Sequence, residues 1–258
     1  MKDLSILLHN RQAWDREVAA SNAATIPYSA DQIERAKKGD WTLLLTPLKS
    51  VPDTWIDKAT VKGKKILCLG GGGGQQALLL AAAGADVTLI DNSPSQLHQD
   101  KIAAEAYQVR YRCSLGDMRN LSEFGENSFD LVVNPISNQF IPETKAMWVE
   151  SYRVLRRSGT MIAAFMNPFV YLFDPDKAKN GIYELKYGIP YSDLSSIDEK
   201  RRFELYGSDP IEFGHSLDFQ ISGQIDAGFL LSGFYSDYSL QDPIRAFMPS
   251  YFVTRSTK

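Results

Sequence analysis

Five consecutive glycines, Gly70–Gly74, stand between two well-marked segments of this 258-residue chain. The short apolar run Lys65–Leu69 precedes them, and the Ala/Leu-rich run Gln75–Ala83 follows, stopped by Gly84. A short apolar run ending in glycine reads as a buried strand, and the Ala/Leu run reads as a helix. Glycine in the turn between them permits positive φ and lets a ligand lie against bare backbone. A strand-to-helix turn at the carboxyl edge of a parallel sheet is where open α/β folds bind nucleotides. A merely flexible linker would not need a strand on one side and a helix on the other.

The rest of the chain extends this strand–helix alternation. Asp86–Ile90 is a second predicted strand, and Ser93-Pro94-Ser95-Gln96 has the N-cap serine and N1 proline that open a helix. Val109–Cys113 and Phe129–Val133 are predicted third and fourth strands. A helix from about Pro142 to Arg157, with Arg153, Arg156 and Arg157 in its last turn and Gly159 as its stop, leads to a fifth strand, Thr160–Phe165. This order implies a doubly wound, mostly parallel sheet. After a helix around Ser216–Ala227, Phe229–Ser236 and Tyr251–Arg255 are joined by a link too short and too proline-marked for a crossover helix. They are expected to form an antiparallel hairpin.

Two stretches fall outside the alternation. Residues 1–58 read as a helical N-terminal cap segment, in which Ser29-x-x-Gln32 is a capping box for a helix ending near Gly39. Residues 167–215 lose periodicity and are rich in aromatics, among them Tyr171, Tyr183, Tyr191 and Tyr206. Nearly 50 residues is too long for an ordinary connection, so an ordered insertion over the active-site edge of the sheet is expected.

Hydrophobic residues make up 44% and charged residues 23%, a globular balance, and the net charge is -3. No basic block provides the footprint of a phosphate-backbone binder, so a nucleic acid partner is not expected. Cys68 and Cys113 are too few for a disulfide framework or a zinc site and read as buried core residues in a reducing compartment. No metal-ligand spacing is present. The beginning of the chain has only Ile6–Leu8 as an apolar stretch, so no signal peptide is expected. The longest apolar run is broken by Gly84 and Asp86, well short of a membrane span, and a cytoplasmic protein is expected.

The register of the glycines narrows the nucleotide. A dinucleotide fingerprint starting at Gly70 would need glycine where Gln75 stands, and the G-x-G-x-x-A match at Gly72, Gly74 and Ala77 begins late. Gly70, Gly72 and Gly74 give G-x-G-x-G directly after the strand, and here the chain resembles the first motif of class I S-adenosylmethionine-dependent methyltransferases. Cys68 departs from that motif, standing where the family usually has an acid that helps hold the methionine ammonium. The segments Trp41–Trp55, Phe165–Asp174, Ile189–Leu194 and Glu212–Phe229 resemble a largely uncharacterised bacterial branch of the same family. The resemblance spans nearly the whole chain and brings no methyl acceptor with it. It implies a Rossmann-like seven-stranded sheet in the order 3-2-1-4-5-7-6 with the last strand antiparallel. On this reading residues 59–258 are the methyltransferase domain, and S-adenosyl-L-methionine is the cofactor.

The same resemblance assigns the site. Gly70, Gly71, Gly72, Gly74 and Gln75 form the turn against the cofactor. Asp91, ending the second strand, accepts hydrogen bonds from the ribose hydroxyls, with Asn92 beside it; Gln96 reads as capping its helix. Gly116, Asp117 and Met118 receive the adenine, the acid taking its amino group. Asn134 lies at the carboxyl end of the fourth strand, near the methyl group. Ser137, Asn138 and Gln139 beyond it, with Tyr171, form a polar substrate cluster. Asn134-Pro135 is followed by Ile136 and Ser137, so the N-P-P-aromatic tetrad of exocyclic-nitrogen methylation is not met. His215 reads either as a general base at the mouth of the site or as a structural histidine. Trp14 and Trp41 read either as parts of a lid or as core residues. The expected reaction is methyl transfer to a small-molecule acceptor. The alternatives are an NAD(P)-dependent oxidoreductase and a non-catalytic S-adenosylmethionine-binding protein.

Overall fold

The computed structural model describes residues 3–258, so the first two residues of the expected cap lie outside it. Helices α1 (Asp3–Ala19) and α2 (Ala30–Lys37) come first. Alternation then runs through β1 (Lys65–Leu69), α3 (Gln76–Ala82), β2 (Asp86–Asp91), α4 (Pro94–Ala106), β3 (Arg112–Leu115), β4 (Phe129–Asn134), α5 (Lys145–Val154) and β5 (Leu155–Met166). The next segment holds α6 (Pro175–Lys179), β6 (Tyr191–Ser192), α7 (Glu199–Tyr206) and β7 (Phe213–Gly214). A π-helical turn, Asp218–Ser222, runs into α8 (Gly223–Asp226), and β8 (Leu230–Asp237) and β9 (Tyr251–Thr257) close the chain.

The seven-stranded sheet has the order β3-β2-β1-β4-β5-β9-β8. Counting only its own strands along the chain, this is the expected 3-2-1-4-5-7-6. β9 pairs antiparallel with both β5 and β8, as the hairpin reading requires. β1 shows why the sheet is buried on both faces. Ile66 and Cys68 enter one core layer with α2, α3 and α4, while Leu67 and Leu69 enter the other with Met147, Trp148 and Phe229. The cap contributes to the first layer through Ile33, Trp41, Leu43 and Leu45, so Trp41 is a core residue and not part of a lid. Ser29 and Gln32 form the expected reciprocal capping box.

Several boundaries differ from expectation. β3 begins at Arg112, because pairing with Thr88 of β2 fixes the register there, while Val109 closes the end of α4 by bonding Ala104. Cys113, on this sheet-edge strand, is half-buried, whereas Cys68 is fully buried. α5 ends at Val154 because buried Leu155 pairs with Phe129 and enters the sheet. Arg156 and Arg157 therefore belong to β5, where Arg156 pairs with Asp130, and Gly159 lies inside the strand. Within residues 167–215, β6 and β7 form a two-stranded antiparallel sheet.

Candidate functional site

The glycine turn has the backbone its sequence demands. Gly70, Gly72, Gly73 and Gly74 all have positive φ, between 61° and 105°. Gly71 lacks that constraint and is required by proximity instead, since a Cβ there would stand 2.8 Å from a Leu89 methyl and 3.1 Å from Asp100 Oδ2. The turn forms one wall of a cavity of about 780 Å³, within the range of small-molecule sites.

Most of the residues singled out in the sequence converge there. Gly70, Gly71, Gly72 and Gln75 line the cavity from the turn, Asp91 and Asn92 from the end of β2, and Gly116, Asp117 and Met118 from the end of β3. Ser137 lines it from the loop after β4. Their side chains already have protein partners. Asp91 Oδ2 accepts the Gly71 N–H at 2.8 Å, and its Oδ1 accepts the Ser93 N–H at 2.8 Å. Burial pushes the Asp91 carboxyl up from the usual range, and these backbone donors oppose the shift. Gln75 Nε2 donates to the carbonyls of Ala24 and Ile26, tying the turn to the cap. Asn92 accepts from Arg11 and donates to the Leu7 carbonyl at 2.8 Å. Asp117 is gripped by Arg119, whose Nη2 lies 2.6 Å from Oδ2 and which also bonds Asp3.

Other predicted residues stand behind the cavity. Gly74 packs its Cα face against Pro27 and Ala103, and its carbonyl accepts the Tyr28 N–H. Asn134 is fully buried and donates to the Leu69 carbonyl and Ser137 Oγ, bracing the ends of β1 and β4. Asn138 is also fully buried and bonds Gln220, so it joins the post-β4 loop to the π-helical turn. Gln139 is buried and does not line the cavity. The Ser93 hydroxyl, not the Gln96 side chain, caps α4, and Gln96 lines the cavity. Cys68 lies fully buried beneath the turn, where burial and the neighbouring Asp100 carboxyl both push its pKa up.

His215 has a supporting part in this arrangement. Its Nε2 lies 3.1 Å from the Asn138 carbonyl and 3.0 Å from the Ile141 carbonyl, so that nitrogen carries a proton and donates to both. Burial lowers its pKa, and the neutral ring stacks on Phe213. It faces two carbonyls, lines neither cavity, and ties the loop after β4 through these contacts.

Sequence reasoning missed the cavity's outer walls. Beside Trp14, one of the two tryptophans read as lid or core, Ala23, Ala24 and Leu44–Leu48 line it from the cap, and Ser239–Gln241 line it from the β8–β9 link. Nothing in their local pattern separates them from ordinary loop and helix residues; only the fold brings them together. A second cavity, of about 260 Å³, shares Trp14, Asn22, Ala24 and Phe140 with the first. Tyr171, expected in the substrate cluster, lines this second cavity and donates its hydroxyl to Glu212 Oε2 at 2.7 Å.

The chain is similar to proteins whose class has been assigned. Residues 67–163 match the family model described as a methyltransferase domain. The uncharacterized methyltransferase YbaJ of Bacillus subtilis is 43% identical over 255 residues, covering 98% of this chain and 99% of that protein. Two solved structures share the fold at low identity. A putative S-adenosylmethionine-dependent methyltransferase from Listeria monocytogenes superposes with TM-score 0.57 at 17% identity, covering 90% of this chain and 99% of its own. One from Mesorhizobium loti superposes with TM-score 0.56 at 16% identity, covering 77% and 92%. With Gly70–Gly74, Asp91 and Asp117 in register at the ends of three adjacent strands, the chain belongs to the class I S-adenosylmethionine-dependent methyltransferases.

Proposed function

We propose that the larger cavity is the donor site of this methyltransferase and that the acceptor is a small molecule. The observation that carries the reading is the convergence of the glycine turn, Asp91 and Gly116–Met118 on one cavity of about 780 Å³. Its chemistry fits S-adenosyl-L-methionine: bare backbone at Gly70–Gly72, a carboxylate at Asp91 for a diol, and the Met118 side chain for an aromatic ring. The donor supplies an already activated sulfonium methyl, so the protein's task is alignment and exclusion of water. Arg119 holds the Asp117 carboxylate in a fixed orientation, and Gln75 keeps residues 24–26 over the turn.

A small acceptor is supported by the walls that the cap and the β8–β9 link add, which narrow the approach to the glycine turn. We assign residues 1–58 as the cap of this site and residues 59–258 as the methyltransferase domain, with its insertion at about 167–215. The two cysteines are unpaired, which supports a reducing, cytoplasmic location. No helix among the described residues is long and apolar enough to cross a membrane.

Titration calorimetry with S-adenosylhomocysteine tests the donor site. Charge-assisted hydrogen bonds contribute roughly 1.5–3 kcal/mol each. Asp91→Ala is therefore expected to weaken binding by about tenfold or more, and unchanged affinity would refute the ribose assignment. In a thermal-shift assay S-adenosylhomocysteine should stabilise the protein and NAD should not.

A further inference from the structure

We propose that the second cavity is the acceptor site and that it takes a cationic amine, with the Glu212–Tyr171 pair receiving the proton that the amine must lose. This rests on the donor-site reading of the larger cavity, with which it shares the Trp14–Phe140 wall.

Two independent properties of the cavity point to a cation. The first is its rings. Trp14 and Phe140 meet edge to face, with centroids 5.0 Å apart, and Tyr171 and Tyr206 stand among the other walls. Electron-rich rings around a void attract ammonium groups, more strongly when the group is desolvated. The second is its charge. Glu17, Asp193, Asp209 and Glu212 line it, while no lysine, arginine or histidine does so among the described residues. Arg16 and Arg202 do not line it; they bond the backbone carbonyls of Ser208, Gly207 and Asp209, and the Arg202 charge favours the charged form of Asp193. The four lining acids outnumber these nearby cations, so the walls favour a cation over a phosphate or carboxylate.

The carboxyls differ in readiness. Buried Asp193 is committed to the fold, accepting from the Tyr191 hydroxyl at 2.8 Å and the Glu212 N–H at 2.9 Å. Glu212 accepts the Tyr171 hydroxyl through Oε2, which leaves Oε1 for a further donor. Burial, with the neighbouring Asp193 and Asp209 charges, pushes the Glu212 carboxyl up to about 7, a range suited to proton transfer near neutral pH. An amine arrives as R–NH₃⁺ and gives one proton to the Glu212 carboxylate. The freed lone pair forms the N–C bond to the methyl as the donor's S–C bond breaks, its electron pair leaving with sulfur. The product nitrogen is again cationic, R–NH₂–CH₃⁺, and the Glu212 proton passes to solvent. At about 260 Å³ the cavity lies just below the usual range for drug-sized ligands, which suits an amine head group and not a bulky polymer.

Calorimetry on the full chain saturated with S-adenosylhomocysteine tests the idea, using phenethylamine and choline as probes. Phenethyl alcohol and the neutral carbon isostere of choline serve as their counterparts. At least one ammonium probe is expected to bind about tenfold or more tightly than its isostere. Glu212→Gln should reduce that affinity by about tenfold while leaving S-adenosylhomocysteine affinity and melting temperature near wild type, which separates a lost contact from a lost fold. Asp209→Asn, at an exposed position, should reduce it about threefold without touching the core. Equal binding of amines and isosteres, no binding of either ammonium, or full amine affinity in Glu212→Gln would each overturn the proposal while leaving the donor site standing. Failure of the wild type to bind S-adenosylhomocysteine would instead sink the donor-site reading and this one with it.

Discussion

Asp100 is a charged residue type in an uncharged place. It lies on α4, fully buried, with the Tyr111 hydroxyl 2.6 Å from Oδ1 and no hydrogen-bond partner for Oδ2. That second oxygen stands behind Gly71, so the floor of the donor turn rests on a carboxyl group. Burial pushes its pKa up to about 8, despite the Tyr111 hydrogen bond and aided by the Asp91 charge. A carboxyl raised this far stays protonated in the folded chain over a range where the unfolded chain has lost its proton. Unfolding then releases a proton, and stability falls as pH rises from about 4 to about 8, levelling off above. Asp100→Asn keeps an acceptor for Tyr111 and removes the ionisation. It should therefore flatten the fall in melting temperature between pH 5 and pH 8.5. Each kcal/mol moves the midpoint by about 2–4 °C in a chain of this size, so a difference of several degrees is expected. Identical pH profiles for variant and wild type would mean that Asp100 ionises freely. Nothing in the sequence marks Asp100 as special: an aspartate in a helix reads as a solvent-facing residue until the packing direction of α4 is known.

At the scale of elements, α1 was the least legible part of the chain and is among the most consequential. Its buried face is thin, with only Ile6, Asn10 and Ala13 buried, so hydrophobic periodicity gives little sign of it. It is held by polar clamps instead. Asn10 donates to the Phe140 and Ile211 carbonyls and accepts the Ile211 N–H, joining the helix to the loop after β4 and to the insertion. Asp15 accepts from Ser93 at the start of α4, and Arg11 reaches Asn92 at the end of β2. Asn10→Ala deletes three hydrogen bonds and leaves buried backbone groups unpaired. The expected loss is about 2–4 kcal/mol in denaturant unfolding. S-adenosylhomocysteine affinity should fall with it, because Leu7, Asn10 and Trp14 line the donor cavity. A loss below about 0.5 kcal/mol would show that α1 contributes little to the fold. The α5 boundary has a related cause. Three arginines before a glycine look like a helix end, yet pairing of Leu155 with Phe129 decides the matter, and local dipole complementarity gives way to a buried strand contact.

For the whole molecule, the sheet and the donor turn were legible because each rests on local pattern: apolar runs of strand length, a glycine turn, and acids closing two strands. The remaining walls were not, because they come from opposite ends of the chain. The loop with Ala23 and Ala24, the segment Leu44–Leu48 and the link Ser239–Gln241 face the glycine turn across one cavity. Two of these walls are tied to each other, since Asp237 Oδ2 accepts the Leu48 and Lys49 N–H groups at 2.9 Å each. A ligand in the cavity therefore bridges parts of the chain that share no secondary structure, and its binding energy should appear as order in all of them. At a hundredfold excess over its dissociation constant a ligand adds about 2.7 kcal/mol to stability. Hydrogen exchange should locate that gain. With S-adenosylhomocysteine bound, amides at 22–28, 44–49 and 238–242 are expected to slow together with those at 70–75. Amides at 178–186, which line neither cavity, should be unchanged. Protection confined to 70–75 would mean that the cap and the β8–β9 link only border the site. Concerted protection would mean that the donor closes a chamber assembled from both ends of the chain.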